Sequence, residues 1–186
     1  MEQIRTFIAI DIEVSQKIKD LITELKQTGI NAKIVDTKNM HLTLKFLGDT
    51  DKNLVDQIES AIQESVKEID PFDIKLKNVG VFPNTNYIKV LWIGIQDKGT
   101  LKDAAKEIDE RLNKIGFKKE RREFSAHLTI ARVKSAKNKE KLIQLIDRYN
   151  NMEFQKIKVK KIILKKSVLT PQGPIYTNLK EIKIGE

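Results

Sequence analysis

The four residues His41-Leu42-Thr43-Leu44 return, with one conservative change, as His127-Leu128-Thr129-Ile130, and these two copies hold both histidines of the chain. Each copy lies in a run rich in leucine and β-branched residues that reads as a β-strand. Side chains alternate along a strand, so His and Thr share one face while the two apolar residues share the other. One face is bound for a core; the other presents an imidazole beside a hydroxyl. The two copies are much too far apart for a local metal-binding spacing. A fold that uses both must bring distant strands together.

The rest of the chain supplies such a frame. Residues 4–10 form a short, mostly apolar first strand, and Val14, Ile18, Leu21, Ile22 and Leu25 then recur at helical spacing until Gly29. Residues 32–36 read as an extended connector into the strand 41–47. A second amphipathic helix spans about 51–69, with Leu54, Ile58, Ile62 and Val66 inward, and Pro71 ends it. Residues 72–79 alternate as a strand, and 80–84 read as its exit and turn. The strand 88–95 holds the only tryptophan, Trp92. Thr100 is placed to cap a helix whose apolar face is Leu101, Ala104, Ala105, Ile108 and Leu112. The second motif strand covers 125–133, a short helix uses Leu142, Ile143 and Ile146, and strands follow near 154–159, 162–170 and 175–179.

The order is β-α-β-α-β, then β-α-β-α-β with added strands. It predicts a duplicated α+β architecture, with two lobes of mainly antiparallel sheet facing a cleft and helices outside. One mixed sheet without symmetry is the alternative. The expected organisation is a single domain of two pseudo-symmetric lobes, approximately residues 1–86 and 87–186, exchanging terminal strands.

Composition narrows the setting. With 186 residues, 40% of them hydrophobic and 33% charged, the chain can bury one substantial core or two small lobes. No apolar run approaches the roughly 20 residues that span a bilayer, and no signal-peptide pattern opens the sequence. The absence of cysteine excludes disulfides, thiolate chemistry and cysteine-ligated zinc. A cytoplasmic location is the default expectation. The net charge of +9 favours phosphate-bearing partners, although a basic surface serves solubility equally well.

Taken singly, a histidine on a strand is ordinarily structural, and a strand threonine is commonplace. The matched pair changes that reading. Imidazoles titrate near neutrality, so one can accept a proton while the other donates one at the same pH. Two histidines with threonine at i+2 and no third carboxylate or cysteine make a poor metal set. The hydroxyls suit phosphoryl oxygens and the negative charge that develops on them.

His41-Leu42-Thr43-Leu44-Lys45-Phe46-Leu47-Gly48 and His127-Leu128-Thr129-Ile130-Ala131-Arg132 resemble the paired motifs of the two-histidine (2H) phosphoesterase superfamily. The nearer likeness is to its LigT-like branch of RNA 2′,3′-cyclic phosphodiesterases, historically described as 2′-5′ RNA ligases. Arg5-Thr6-Phe7-Ile8-Ala9-Ile10, Gly80-Val81-Phe82-Pro83, Val90-Leu91-Trp92-Ile93-Gly94 and Ser167-Val168-Leu169 with Gly173 and Tyr176 extend it over nearly the whole chain. The resemblance implies a bilobed fold with the motifs opposed across a cleft. It implies His41 as general acid toward the leaving oxygen, His127 as general base toward water, and Thr43 and Thr129 as holders of the phosphoryl group.

The implied substrate is RNA ending in a 2′,3′-cyclic phosphate, tRNA fragments among the candidates, and the implied product is a 2′-phosphate. Ligation replaces water by a ribose 5′-hydroxyl. No metal or nucleotide cofactor is expected, and a monomer is expected because two lobes complete one cleft. Two departures bear on substrate choice: Glu123-Phe124-Ser125-Ala126 replaces a proline-containing run before the second histidine, and Ile34 replaces a tryptophan.

Accessory candidates follow. Arg132 matches a motif-associated arginine, and an arginine suits phosphate, but strict alternation turns it away from His127 unless a bulge intervenes. Alternation puts Lys45 on the His41 and Thr43 face, either charging the cleft or facing solvent. Arg5 and Tyr176 are further candidates. The basic loop with Lys118, Lys119, Arg121 and Arg122 is the candidate for holding RNA backbone. Lys156, Lys158, Lys160 and Lys161 read as a solvated face. Phe7, Phe46, Phe124, Trp92 and Tyr176 could stack on a base, although most must serve the core. The rival readings are another 2H activity, on a 2′-5′ phosphodiester or a nucleotide cyclic phosphate, and a non-catalytic RNA-binding protein.

Overall fold

In the computed structural model, which describes residues 2–186, the apolar periodicities become buried faces. Strand β1 (Gln3–Asp11) leads into α1 (Gln16–Gln27), where Ile18, Leu21, Ile22 and Leu25 are all buried and Ser15 Oγ accepts from the Ile18 N–H. Each such Leu or Ile contributes roughly 1.5–3 kcal/mol on burial. There follow β2 (Ala32–Ile34), β3 (His41–Asp51), α2 (Val55–Val66), β4 (Phe72–Asn84), β5 (Tyr87–Gln96), α3 (Thr100–Lys114), β6 (His127–Val133), α4 (Lys139–Arg148), β7 (Glu153–Val159), β8 (Lys161–Thr170) and β9 (Gly173–Lys183).

The strands form two sheets, ordered β3-β1-β8-β9 and β2-β6-β5-β4-β7. Every pairing is antiparallel. Helices α2 and α3 pack together over the first sheet, on β9 and β3, while α1 packs with α4 and β7 over the second. The chain has the expected duplicated, bilobed α+β fold. The motif strands β3 and β6 approach each other across the cleft, with Cα atoms within 8 Å.

Exchange between the halves goes well beyond terminal strands. Residues 1–86 send β2 and β4 to the second sheet, residues 87–186 send β8 and β9 to the first, and each sheet is covered by one helix from each half. Two local expectations also change. Strand β4 continues through residues 80–84, because Gly80 to Asn84 pair with β5. Strand β7 pairs only with residues 72–77, so Pro83 sits where β4 has become an edge strand, a place that tolerates proline. Thr100 is the first helical residue of α3 and not its cap; Asp97 Oδ2 accepts the Leu101 N–H at 2.7 Å instead. Among the described residues no helix is long and apolar enough to cross a membrane.

Candidate active site

A bulge just after the threonine of each motif decides which side chains line the cleft. In β3, Thr43 pairs with Ala9 and Lys45 with Ile8, so Leu44 is bulged; in β6, Thr129 pairs with Trp92 and Ala131 with Leu91, so Ile130 is bulged. A bulge reverses the alternation beyond it. His41, Thr43 and Phe46 therefore share the cleft face with Phe7, Ala9 and Asp11 of β1. The same bulge leaves His127, Thr129 and Arg132 on one face with Val90, Trp92 and Gly94 of β5. The bulge thus brings Arg132 round to the cleft, against strict alternation.

It does the opposite to Lys45. That residue turns to the helix side, is only 7% exposed, and its Nζ pairs with the Asp109 carboxylate of α3 and donates to the Lys118 carbonyl at 2.8 Å. Lys45 neither charges the cleft nor faces solvent. Its partner Asp109 accepts the Glu120 N–H at 3.1 Å. The pair thereby fastens the backbone of the loop that enters the second motif.

Both imidazoles are held the same way. His41 Nδ1 lies 2.6 Å from the Asn39 carbonyl oxygen, and His127 Nδ1 lies 2.7 Å from that of Ser125, in each case two residues upstream. A carbonyl can only accept, so Nδ1 carries the hydrogen in both rings and Nε2 is left to exchange protons. Aromatic rings pack each imidazole: Phe7 tilted and Tyr176 edge-on against His41, with centroids at 4.9 and 5.2 Å, and Phe82 edge-on against His127 at 5.1 Å.

Burial pushes the His41 imidazole below its ordinary value. The Asn39 carbonyl opposes that shift, Lys165 and Arg132 add to it, and Asp11 opposes it. Burial likewise raises the Tyr176 hydroxyl, against the positive charges of Arg132 and Arg5. Arg132 of one lobe thus acts on His41 and Tyr176 of the other.

The comparisons with known proteins give the family and the fold. A family model described as the 2′-5′ RNA ligase superfamily matches residues 14–164. The RNA 2′,3′-cyclic phosphodiesterase of Methanothermobacter thermautotrophicus is 35% identical over 98% of this chain and 100% of its own. That of Methanocaldococcus jannaschii is 45% identical over 95% and 99%. The chain belongs to the LigT-like branch of the 2H phosphoesterases. Its fold matches that of the Thermus thermophilus protein TT0787 with a TM-score of 0.78, at 21% identity over 97% of this chain and 98% of that one. Escherichia coli LigT complexed with 3′-AMP gives 0.75, at 21% identity over the full length of both.

Arg5 is exposed and alternates onto the Phe7 face of β1. The side chains of Lys118, Lys119, Arg121 and Arg122 are exposed, and Lys119 lies 3.9 Å from Glu110. Phe46 is 67% exposed beside buried Phe7, which makes it the open aromatic of the cleft. Trp92 lies across Gly80, where an added Cβ would come within 2.3 Å of its ring. Position 34 faces away from the cleft, because Ile34 pairs with buried Ala131. Lysines 156 and 161 pair with Asp73 and Glu181 at the surface, as a solvated face requires.

Sequence reasoning missed Lys33, which pairs with Arg132 and so shares its face, and Asp11 and Lys165 beside His41. Strand alternation around Phe7 and the pairing of β1 with β3 are the signals that find Asp11. Among the described residues no three His, Cys, Asp or Glu side chains cluster so as to hold a metal ion.

Proposed function

We propose that this chain hydrolyses the 2′,3′-cyclic phosphate at the end of an RNA to a 2′-phosphate, using His41 and His127 as an acid–base pair. His127 Nε2 takes a proton from water as the water oxygen bonds to phosphorus. The bond from phosphorus to the 3′-oxygen breaks, and His41 Nε2 gives that oxygen its proton. Thr43 and Thr129 donate to the non-bridging oxygens, where charge accumulates, and Arg132 adds a cation on the same face. Acid and base end the turnover with exchanged protonation and reset through water. With a ribose 5′-hydroxyl in place of water, the same steps join two RNAs through a 2′-5′ linkage.

The observation that carries this reading is the identical pinning of both rings, Nδ1 to the carbonyl two residues upstream, on strands that meet across one cleft. A module that only bound RNA would have no use for two matched tautomers. The names of the relatives support the substrate class, and the net charge of +9 suits an RNA partner. We place the reaction in the cytoplasm, carried out by a monomer.

Three substrates separate this activity from its relatives: an RNA ending in a 2′,3′-cyclic phosphate, a 2′-5′ linked oligonucleotide, and ADP-ribose 1″,2″-cyclic phosphate. Turnover fastest on the first supports the assignment; preference for either of the others overturns it.

The pH dependence carries a sign. A general acid works when protonated, so its limb falls as pH rises through its pKa. Burial holds His41 below the ordinary 6.5 in the empty cleft. The descending limb of kcat/KM, which reports the free enzyme, should therefore lie below about 6.5. A bound phosphate anion favours the imidazolium, so the corresponding limb of kcat should lie higher. A kcat limb at or below that of kcat/KM contradicts the role given to His41.

A further inference from the structure

The two motifs share a tautomer and a hydroxyl, but the strands beside them differ. The position paired with His41 in β1 is Asp11; the position paired with His127 in β5 is Gly94. The cross-strand partner of one histidine carries a carboxylate; that of the other carries no side chain. Asp11 in turn holds Lys165 of β8, whose Nζ lies 2.8 Å from Oδ1 and 3.1 Å from Oδ2 and donates to Asn178 Oδ1 at 2.8 Å. Lys165 is 7% exposed. Its backbone pairs with Phe7, so its aliphatic stem runs along β1 past Ala9 to reach Asp11. In the second lobe Trp92 occupies the place of Ala9.

We propose that Asp11 and Lys165 are positioning residues that set how readily His41 holds its proton and so make the two motif histidines unequal. The functional meaning rests on the reading of His41 as proton donor. The carboxylate favours the imidazolium and the ammonium opposes it; Lys165 is buried while Asp11 is 45% exposed, so solvent screens the carboxylate more than the ammonium. The other groups facing His41 are Tyr176 from β9, Arg132 from β6 and the Asn39 carbonyl. Of the charged ones, Lys165 and Arg132 lower its proton affinity and Asp11 raises it. In the empty cleft the net effect on His41 is downward, so its role as proton donor relies on the bound phosphate anion to favour the imidazolium, with Asp11 acting in the same direction.

Because the chain has only two histidines, NMR titration of the imidazole signals reads both without substrate. Asp11→Asn should lower the His41 midpoint and Lys165→Met should raise it, each by roughly half a pH unit or more, with His127 unchanged. The descending limb of kcat/KM should move in the same two directions. Movement in one direction by both variants, no movement, or equal movement of His127 overturns the proposal. Should one single variant fail to fold, the double variant, which buries no unpaired charge, set against the remaining single variant supplies the missing comparison. The titration does not depend on turnover. An inactive parent protein counts against the functional reading, whereas unmoved midpoints in an active one count only against this pair.

Discussion

His41→Ala and His127→Ala should each lower kcat on a 2′,3′-cyclic phosphate by roughly 10²–10⁴-fold, the usual contribution of a positioned acid or base. KM should change much less, because the proposed phosphate-holding residues Thr43, Thr129 and Arg132 are left in place. The two losses should not multiply in the double variant. Nucleophile activation and leaving-group protonation serve one displacement, and residues that act as a unit are far from additive. Both rings are only half-buried, so truncation leaves the core intact and the variants should unfold at nearly the parent denaturant concentration. Single-turnover rates beside urea unfolding curves read both quantities. A variant that folds and turns over at the parent rate contradicts the acid–base pair.

The largest effect on stability is expected far from the reacting phosphate. Lys45→Met leaves the Asp109 carboxylate buried with only the Glu120 N–H for company. Removing one partner of a buried ion pair typically costs about 3–5 kcal/mol. Pairing Lys45→Met with Asp109→Leu removes both charges and should recover much of the loss, since a packed apolar pair of similar volume is often neutral. In the loop from Lys118 to Ser125, the single variant Lys45→Met loses the anchor at the Lys118 carbonyl, and the double variant loses the one at the Glu120 N–H as well. The carbonyl that pins His127 belongs to that loop, so kcat should fall in the double variant even where stability returns. Urea unfolding of the two single and the double variant measures the coupling. A single variant within ±0.5 kcal/mol of the parent, the range of ordinary surface substitutions, contradicts the anchoring role.

The repeated tetrapeptide made the two strands, their shared face and the duplicated order of elements legible, because burial imposes periods of 2 and 3.6 on any chain that folds this way. The faces of Arg132 and Lys45 were not legible. Each follows from a single bulged residue, Ile130 or Leu44, and neither residue type signals a bulge. Alternation read straight through those points sends Arg132 out of the cleft and Lys45 into it, the reverse of what the paired registers give. The pseudo-symmetry, once seen in three dimensions, explains both at once: Phe46 and Arg132 occupy equivalent positions, as do Lys45 and Ala131.

The exchange of strands between lobes was partly hidden for a related reason. Strands β2 and β4 sit in the first half of the chain but pair in the second sheet, a choice made by tertiary packing and not by local pattern. The contact of Lys165 with Asp11 spans 154 residues. No local spacing could announce it. The tautomer of each histidine was equally out of reach, because it depends on where the Asn39 and Ser125 carbonyls point.

The most direct test is turnover, in the presence of EDTA, of a short RNA ending in a 2′,3′-cyclic phosphate, with the product's phosphate located by phosphorus NMR. The mechanism above predicts steady hydrolysis to a single product, the 2′-phosphate. A 3′-phosphate product would contradict the assigned leaving oxygen, and the absence of turnover by the folded protein would contradict the proposed activity itself.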